Sequence, residues 1–396
     1  MLKNTSGQVV EGDNFFDRKA EIERYWRTLE TDNLLMLAPR RVGKSSVLKR
    51  MKAYPQNDMA VVYADVSDCS TEFAFIKRLY NEVLTCHSSS EQLWNSISQS
   101  WLGRRVARVK KAGLGPFVIE FEGDESHWSQ AGETLADAIS ALEEDTLIQV
   151  DELPVFLLRL IDRAENANQD RIRAFLYWMR RLRQSHPRVR WMLAGSIGLD
   201  TIAARLNISD AINDLKIETL GAFDEKTAHE LLSILGRTHK IELADEVRDR
   251  IVTRVGWLIP YYLQLVFNLL REHPKPDISA VDLAVDTLLD PSHKVVFDYW
   301  RQRLKDEMGA VDAGHAYLLL NHICRDPEGV RRSTLKMVLS VAIPDPERCD
   351  DQLHYLLDVL QSDGYLVEEG GRWRFRSPFL REYWLRRVAP LEMEDE

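Results

Sequence analysis

Hydrophobic positions in the first half of the chain form short continuous runs that end in small or acidic residues. Stretches with helical spacing lie between the runs. The first stretch covers 18–31, where Ile22, Tyr25, Trp26 and Leu29 recur at helical intervals. Continuous apolar strands that alternate with helices predict an α/β fold, with a parallel sheet covered on both faces. The five predicted strands are 34–38, 60–66, 146–151, 190–194 and 216–220.

The segment 67–145, between the second and third runs, is longer than one connecting helix requires. It contains helical stretches and one alternating run, PFVIEFEG at 116–123, which predicts a strand or hairpin. We therefore interpret about 85–140 as an insertion in a core domain that covers 1–221.

The strand pattern stops near 222, and the remaining sequence is mostly helical. Three helices with clear start and stop signals are predicted at 223–237, 244–256 and 260–273, and we interpret 222–275 as a small helical lid. A joint at 273–277 separates the lid from a last domain, 276–396. There the pattern predicts helices and then a hairpin, an order typical of a winged helix. These last elements are expected at 278–306, 312–324, 331–342, 349–364 and 365–378.

Length, charge and cysteine content narrow the class of protein. A chain of 396 residues is expected to form two or three domains. The net charge of −10 does not favour a polyanion partner overall. The four cysteines form no C-x-x-C pair, which fits a reducing compartment without a zinc site. The sequence has no signal-peptide pattern and no apolar run of 18 residues, so we expect a cytoplasmic protein with no membrane span.

The sequence LMLAPRRVGKSS at 35–46 is close to a phosphate-binding loop. Gly43 lets the backbone approach phosphate, Lys44 is expected to reach the β- and γ-phosphates, and Ser45 is expected to bind Mg²⁺. Ala38 replaces the first glycine of the usual pattern, which is tolerable if its φ is negative. The alternative is a chance Gly-Lys-Ser-Ser at a helix start. The complete predicted loop consists of Ala38, Pro39, Arg40, Arg41, Val42, Gly43, Lys44, Ser45 and Ser46.

A second candidate site follows the third predicted strand. In TLIQVDELP, Asp151 is predicted to hold Mg²⁺ and Glu152 to polarise the attacking water. The alternative is a solvated acidic turn. In AGSIGL, Ser196 is a candidate sensor of the γ-phosphate, or a residue of an ordinary Gly-Ser turn. Together with the phosphate loop, the carboxylates predict ATP hydrolysis with Mg²⁺.

These motifs, with NFFDRKAEIERYW and GWLIPYYLQ in this order, resemble the AAA+-like ATPases of the archaeal-ATPase and STAND group, relatives of the origin-recognition ATPases. The resemblance implies an ASCE P-loop NTPase core with sheet order 5-1-4-3-2, a helical lid and a C-terminal winged helix. It places Phe16 and Arg18 in a segment that flanks the adenine, and Pro260 in a lid motif that contacts it. It also suggests an arginine finger, for which Arg205, Arg40 and Arg41 are candidates.

Two stretches are rich in arginine, and each has two interpretations. Arg104, Arg108 and Lys111 share a helical face, and 171–190 carries seven arginines. They either contact phosphates of a nucleic acid or form solvated, acid-paired helix faces. The predicted recognition helix at 349–364 is acidic, which disfavours reading of duplex DNA.

The predicted hairpin at 365–378 alternates arginines with aromatic residues. Period 2 therefore puts Arg372, Arg374 and Arg376 on one face, with Trp373 and Phe375 facing the core.

Three functions are compatible with the sequence. The first is an ATP-dependent switch that controls assembly or a protein partner, as in prokaryotic defence and toxin–antitoxin-type systems of the resembled group. The second is a DNA-associated ATPase of replication, transposition or repair. The third is a nucleotide-binding scaffold without turnover, which the presence of Lys44, Ser45, Asp151 and Glu152 opposes.

Overall fold

The structure is a computed structural model. It describes residues 4, 9–86, 92–93, 97, 107–110, 118–121, 125–161, 167–195, 199, 203, 208–293 and 295–389. The chain forms two compact units. We call Arg18–Leu220 the sheet unit, and Met1–Asp17 with Gly221–Glu396 the C-terminal unit. The finer division into core, lid and last domain stays a prediction.

The sheet unit alternates strands and helices, as the hydrophobic pattern predicts. In chain order its described elements are α1 (Lys19–Leu29), β1 (Asn33–Leu37), α2 (Lys44–Ala53), β2 (Ala60–Asp65), α3 (Glu72–Cys86), β3 (Ala107–Lys110), β4 (Val118–Phe121), α4 (Trp128–Ser140), β5 (Thr146–Asp151), α5 (Leu153–Ile161), α6 (Ala167–Ser185), β6 (Val189–Gly195) and β7 (Leu215–Thr219).

Five parallel strands form the central sheet in the order β2-β5-β6-β1-β7. Numbered among themselves, these strands have the order 5-1-4-3-2, so the expected ASCE topology is confirmed. One face of the sheet buries Leu35, Ile148 and Trp191 in a cluster with Phe75 and Phe175. The inner strands are continuous apolar runs because helices cover both faces of the sheet there. The edge strand β7 is more open, and its Ile217 is 57% exposed.

The interval between β2 and β5 contains a separate two-stranded hairpin. The alternating run predicted at 116–123 forms β4, which pairs antiparallel with β3. The helical face predicted for Arg104, Arg108 and Lys111 is wrong at Arg108, whose backbone lies in β3, a strand. Arg104 and Lys111 lie outside the described residues.

The C-terminal unit is helical with one small antiparallel sheet, ordered β8-β10-β9. Its elements are α7 (Glu225–His239), α8 (Asp245–Val255), α9 (Pro260–Leu270), α10 (Ile278–Leu288), α11 (Val295–Ile323), β8 (Val330–Arg331), α12 (Arg332–Ser340), α13 (Pro346–Ser362), β9 (Leu366–Glu369), β10 (Arg372–Phe375), α14 (Pro378–Tyr383) and a π-helical turn, Trp384–Val388. The two helices and the hairpin from α12 to β10 occur in the predicted order, and we call Val330–Phe375 the helix–hairpin segment.

The prediction of one helix in this unit is wrong. The expected helix 278–306 is divided, because α10 ends at Leu288 and a 3₁₀ turn, Pro291–His293, follows. Proline has no N–H to continue an α-helix, which explains the break. The predicted gap before 312 is present as a kink at Gly309, whose φ of 76° interrupts α11.

Gly256 ends α8 at a point of close packing. Its φ is 65°, and a Cβ there would lie 2.4 Å from Cδ of Pro378. Pro260, four residues later, occupies the first turn of α9, where its missing N–H costs no hydrogen bond. Local backbone geometry therefore accounts for both residues of the predicted lid motif.

Candidate functional site

The candidate phosphate loop joins the end of β1 to the start of α2. Gly43 is the N-cap of α2, with a φ of 100°, and Lys44 is the first helical residue. Arg41 also has a positive φ, 65°, although it has a side chain. These two left-handed residues turn the backbone tightly ahead of the helix N-terminus, which is the type of geometry that presents N–H groups to an anion.

Ala38 does not have the positive φ that would make the replacement of glycine unfavourable. It is not among the described residues with positive φ, and it is 6% exposed. The methyl group at the first position of the loop is therefore accommodated without backbone strain.

Asp151 contacts residues of both predicted motifs. It ends β5, is 1% exposed, and its Oδ2 accepts a hydrogen bond from Ser45 Oγ at 2.7 Å. Its Oδ1 lies 2.9 Å from Lys44 Nζ and accepts the Glu152 N–H at 3.0 Å. The fold thus joins the two motifs predicted from the sequence, because β5 and the loop that follows β1 reach the same edge of the sheet.

Glu152 is placed by a strained backbone. Its φ is 60°, and its Oε1 lies 2.7 Å from Lys44 Nζ. The Lys44 side chain is 7% exposed and that of Glu152 is 23% exposed. The ammonium group is therefore held between two carboxylates, and Glu152 is the one of these that solvent reaches.

Tyr63 is a site residue that the sequence pattern did not identify. Its hydroxyl donates to Asp151 Oδ2 at 3.0 Å. Burial, and then the negative charge of Asp151, raise the pKa of the Tyr63 phenol, so the hydroxyl stays a donor. A tyrosine inside an apolar strand gives no sequence signal of this role, because core packing explains it equally well.

Arg18 reaches the phosphate loop. Its guanidinium group is buried, donates to the carbonyl of Val42 at 3.4 Å and pairs with Glu21 at 2.8 Å. Asp17 and Arg18 both have positive φ, 58° and 71°. Glycine would adopt a positive φ without steric cost, so both residues hold a backbone that their side chains disfavour.

Four other predicted site residues are either outside the described residues or part of the other unit. Ser196 and Arg205 lie outside the described part of the chain. Phe16 and Pro260 belong to the C-terminal unit, where Phe16 packs edge-on against Phe223. Their predicted contacts with adenine, and the choice of an arginine finger, stay predictions.

The arginines of 171–190 are largely paired with acidic side chains. This favours the interpretation of an acid-paired helix face over a free phosphate-binding patch. The ion pairs are Arg171–Glu72, Arg180–Asp210, Arg181–Glu133, Arg183–Asp214 and Arg188–Asp145.

The hairpin of the helix–hairpin segment shows the predicted period of two. Trp373 and Phe375 are buried, and Arg372 and Arg374 are partly exposed. Arg372 donates to the carbonyl of Gly329 at 2.7 Å, and Arg374 pairs with Glu369 at 2.5 Å.

The third arginine of this hairpin, Arg376, packs on an aromatic ring. Its guanidinium carbon lies 5.4 Å from the ring centroid of Trp257, and burial lowers its pKa. All three hairpin arginines therefore have partners within their own unit.

The donor set of the site fits Mg²⁺ with a nucleotide rather than a protein-only metal cage. A hydroxyl and a carboxylate are the oxygen ligands that Mg²⁺ takes from proteins when phosphates and waters complete its shell. Among the residues that the structure describes, no group of three or more His, Cys, Asp or Glu is arranged to hold a metal ion. None of the described helices is both long and apolar enough to cross a membrane.

Comparison with known proteins finds similar proteins among the solved structures. Neither a protein-family model nor a curated protein matches the sequence. The Walker-type ATPase PABY2304 of Pyrococcus abyssi is similar, with a TM-score of 0.61 and 18% identity over 94% of this chain and 97% of that one. The ORC2 protein of Aeropyrum pernix, solved with ADPNP and ADP, has a TM-score of 0.54 and 12% identity, over 97% and 98% of the two chains. The chain thus has the fold of the AAA+-like P-loop ATPases related to the origin-recognition ATPases.

Proposed function

We propose that the chain is an ATP-hydrolysing, AAA+/STAND-like switch that acts on a protein partner or assembles with itself. The observation that carries the proposal is the convergence of Lys44, Ser45, Asp151 and Glu152 at one edge of the central sheet. A binding-only scaffold does not require the second carboxylate, whereas hydrolysis requires a group that accepts a proton from water.

Each of these residues has a distinct task in the proposed reaction. The loop N–H groups and Lys44 bind phosphate oxygens, Ser45 supplies a hydroxyl ligand, and Asp151 orients that hydroxyl. Bound Mg²⁺ supplies positive charge that neutralises the phosphates. Glu152 orients the attacking water and accepts its proton.

The contact between Lys44 and Glu152 links binding to catalysis. Phosphate oxygens compete with the Glu152 carboxylate for the same ammonium group, which lies 2.7 Å from it. Nucleotide binding then releases Glu152 to act on water, and the site gains its base only when substrate is present.

The experiment compares steady-state ATP turnover and binding of a fluorescent nucleotide in three variants. Glu152→Gln is expected to keep nucleotide binding and to lose turnover by about 100-fold or more, because the base is removed. Lys44→Ala is expected to lose both. Lys52→Ala, later on α2, is the matched control and is expected to behave as wild type.

Folding of each variant is checked by circular dichroism, because Lys44→Ala leaves the buried Asp151 without its cation. Turnover that survives Lys44→Ala would overturn the proposal. So would a wild-type protein that binds nucleotide and never hydrolyses it.

The charge distribution supports a protein partner over DNA. The sheet unit has 28 basic and 28 acidic residues, and the C-terminal unit has 24 basic and 34 acidic residues. The whole net charge of −10 therefore belongs to the unit that contains the helix–hairpin segment. On α13, Glu347, Asp351 and Asp358 are exposed on one face, which repels phosphate.

Apolar exposure elsewhere in the helix–hairpin segment also fits protein docking. Met337 in α12 and Val341, directly after α12, are 64% and 84% exposed. A segment that exposes both large apolar and acidic side chains suits a partner surface that is both apolar and basic.

A further inference from the structure

Tyr63 lies on the strand next to the two carboxylates of the site. In the parallel pair of β2 and β5, Tyr63 is opposite Gln149, and Asp65 is opposite Asp151. Because side chains alternate along a strand, Tyr63 and Asp151 point to the same face of the sheet. Ser45, at the start of α2, also reaches this face.

The two oxygens of Asp151 have separate sets of partners. Oδ1 contacts Lys44 Nζ at 2.9 Å and accepts the Glu152 N–H. Oδ2 accepts two hydroxyl donors, Ser45 at 2.7 Å and Tyr63 at 3.0 Å. The carboxylate cannot rotate without breaking bonds at both oxygens.

We propose that Tyr63 is a positioning residue that fixes the orientation of the Asp151 carboxylate for magnesium-dependent nucleotide binding. This inference rests on the proposed function, because it assigns Tyr63 a task at the same site. Groups that orient a metal site without binding the metal change metal affinity by about 10–100-fold when they are lost.

The position of Tyr63 suits this task better than that of Ser45. Ser45 belongs to the loop–helix junction, which is proposed to contact the nucleotide, whereas Tyr63 belongs to β2, an edge strand of the central sheet that pairs with β5. Lys49, one turn after Ser45 on α2, has its Nζ 5.9 Å from the centroid of the Tyr63 ring. The ring is packed between strand and helix, so its hydroxyl holds Oδ2 from an element that the loop does not move.

Tyr63→Phe removes the hydroxyl and keeps the ring. Tyr80→Phe is the matched control, because Tyr80 is a buried phenol of the same unit that donates to the carbonyl of Ala131 at 2.8 Å, away from the site. Binding of fluorescent ADP is measured by titration at a series of Mg²⁺ concentrations and in excess EDTA. Thermal unfolding of both variants reports any general loss of stability.

Mg²⁺ is expected to tighten ADP binding, and the Mg²⁺ midpoint is the concentration that gives half of this increase in affinity. For Tyr63→Phe we expect this midpoint to rise about tenfold. Its affinity in EDTA should stay at the wild-type value, and Tyr80→Phe should keep the wild-type Mg²⁺ midpoint. The inference is overturned, and the proposed function is not, if Tyr63→Phe keeps the wild-type Mg²⁺ midpoint or if Tyr80→Phe moves the midpoint equally. Wild-type binding that does not respond to Mg²⁺ overturns the proposed function and this inference with it.

Discussion

Arg41 in the phosphate loop and Glu152 after β5 have backbones that their side chains disfavour. Arg41 and Glu152 have φ values of 65° and 60°. A residue with a Cβ costs about 1–2 kcal/mol in this conformation relative to the right-handed one. Strain of this kind occurs where the surrounding structure requires an unusual backbone, as a loop that closes on phosphate does.

The strain at Arg41 can be measured by comparing glycine with alanine. Both variants remove the Arg41 side chain, and only glycine relieves the positive φ. Arg41→Gly is therefore expected to have a free energy of unfolding about 1 kcal/mol higher than Arg41→Ala in urea denaturation.

Arg40 provides the matched position, since its φ is not positive. There the order should reverse, with Arg40→Ala more stable than Arg40→Gly. If alanine were the more stable residue at both positions, the left-handed loop backbone would be wrong.

Packing between elements of the sheet unit depends on one small residue. Gly132 of α4 faces Trp178 of α6, and a Cβ at Gly132 would lie 2.1 Å from the indole ring. Trp178 is held in place by a hydrogen bond to the carbonyl of Ser129 at 3.1 Å and by edge-to-face contact with Trp128. The indole cannot retreat cheaply, so these helices approach only because position 132 has no side chain.

Gly132→Ala is expected to lower the free energy of unfolding by about 1–3 kcal/mol, because the added methyl overpacks the contact between α4 and α6. Gly314→Ala is the control. Gly314 lies in α11, is exposed, and a Cβ there would meet no atom within 4 Å. That change should be neutral or stabilise by up to about 1 kcal/mol through helix propensity. Equal effects at both positions in chemical denaturation would contradict this account of the packing.

At the scale of the whole molecule, charge is divided unevenly between the two units. The sheet unit is neutral overall and the C-terminal unit carries the full −10. The arginines that could offset this in the hairpin are engaged by a carbonyl, a carboxylate and an indole ring. The helix–hairpin segment itself has 6 basic and 8 acidic residues, a balance that does not favour binding of nucleic acid.

With ATP present, we expect the wild-type protein not to bind a 30-base-pair DNA duplex at salt concentrations down to about 50 mM. Binding is measured by fluorescence anisotropy. The variant Glu347→Lys/Asp351→Lys/Asp358→Lys is the control for sensitivity, because it places three cations on the exposed face of α13. It is expected to gain weak, salt-sensitive binding. Wild-type affinity that falls steeply with rising salt would instead favour the DNA-associated alternative.

Local patterns were enough to predict the strands and to select four side chains that the structure brings together. The three inner strands, β1, β5 and β6, are apolar runs with largely buried side chains, because helices exclude water from both faces of the sheet there. Lys44 and Ser45, and Asp151 and Glu152, could be chosen because each pair follows such a run, where parallel strands present their carboxyl ends. By contrast, the break after Leu288 was missed even though Pro291 marks it, since the apolar period continues on both sides.

The sequence by itself determined which residues form the sheet and which side chains are candidates for contact with phosphate and metal. Tertiary structure alone decided how they meet. Ser45 and Tyr63 reach Asp151 from 106 and 88 residues away, so their hydrogen bonds follow from strand order and register. The left-handed backbones of Arg41 and Glu152 likewise have no local signal, because neither is a glycine. They exist because the surrounding fold stabilises a conformation that the residues themselves disfavour.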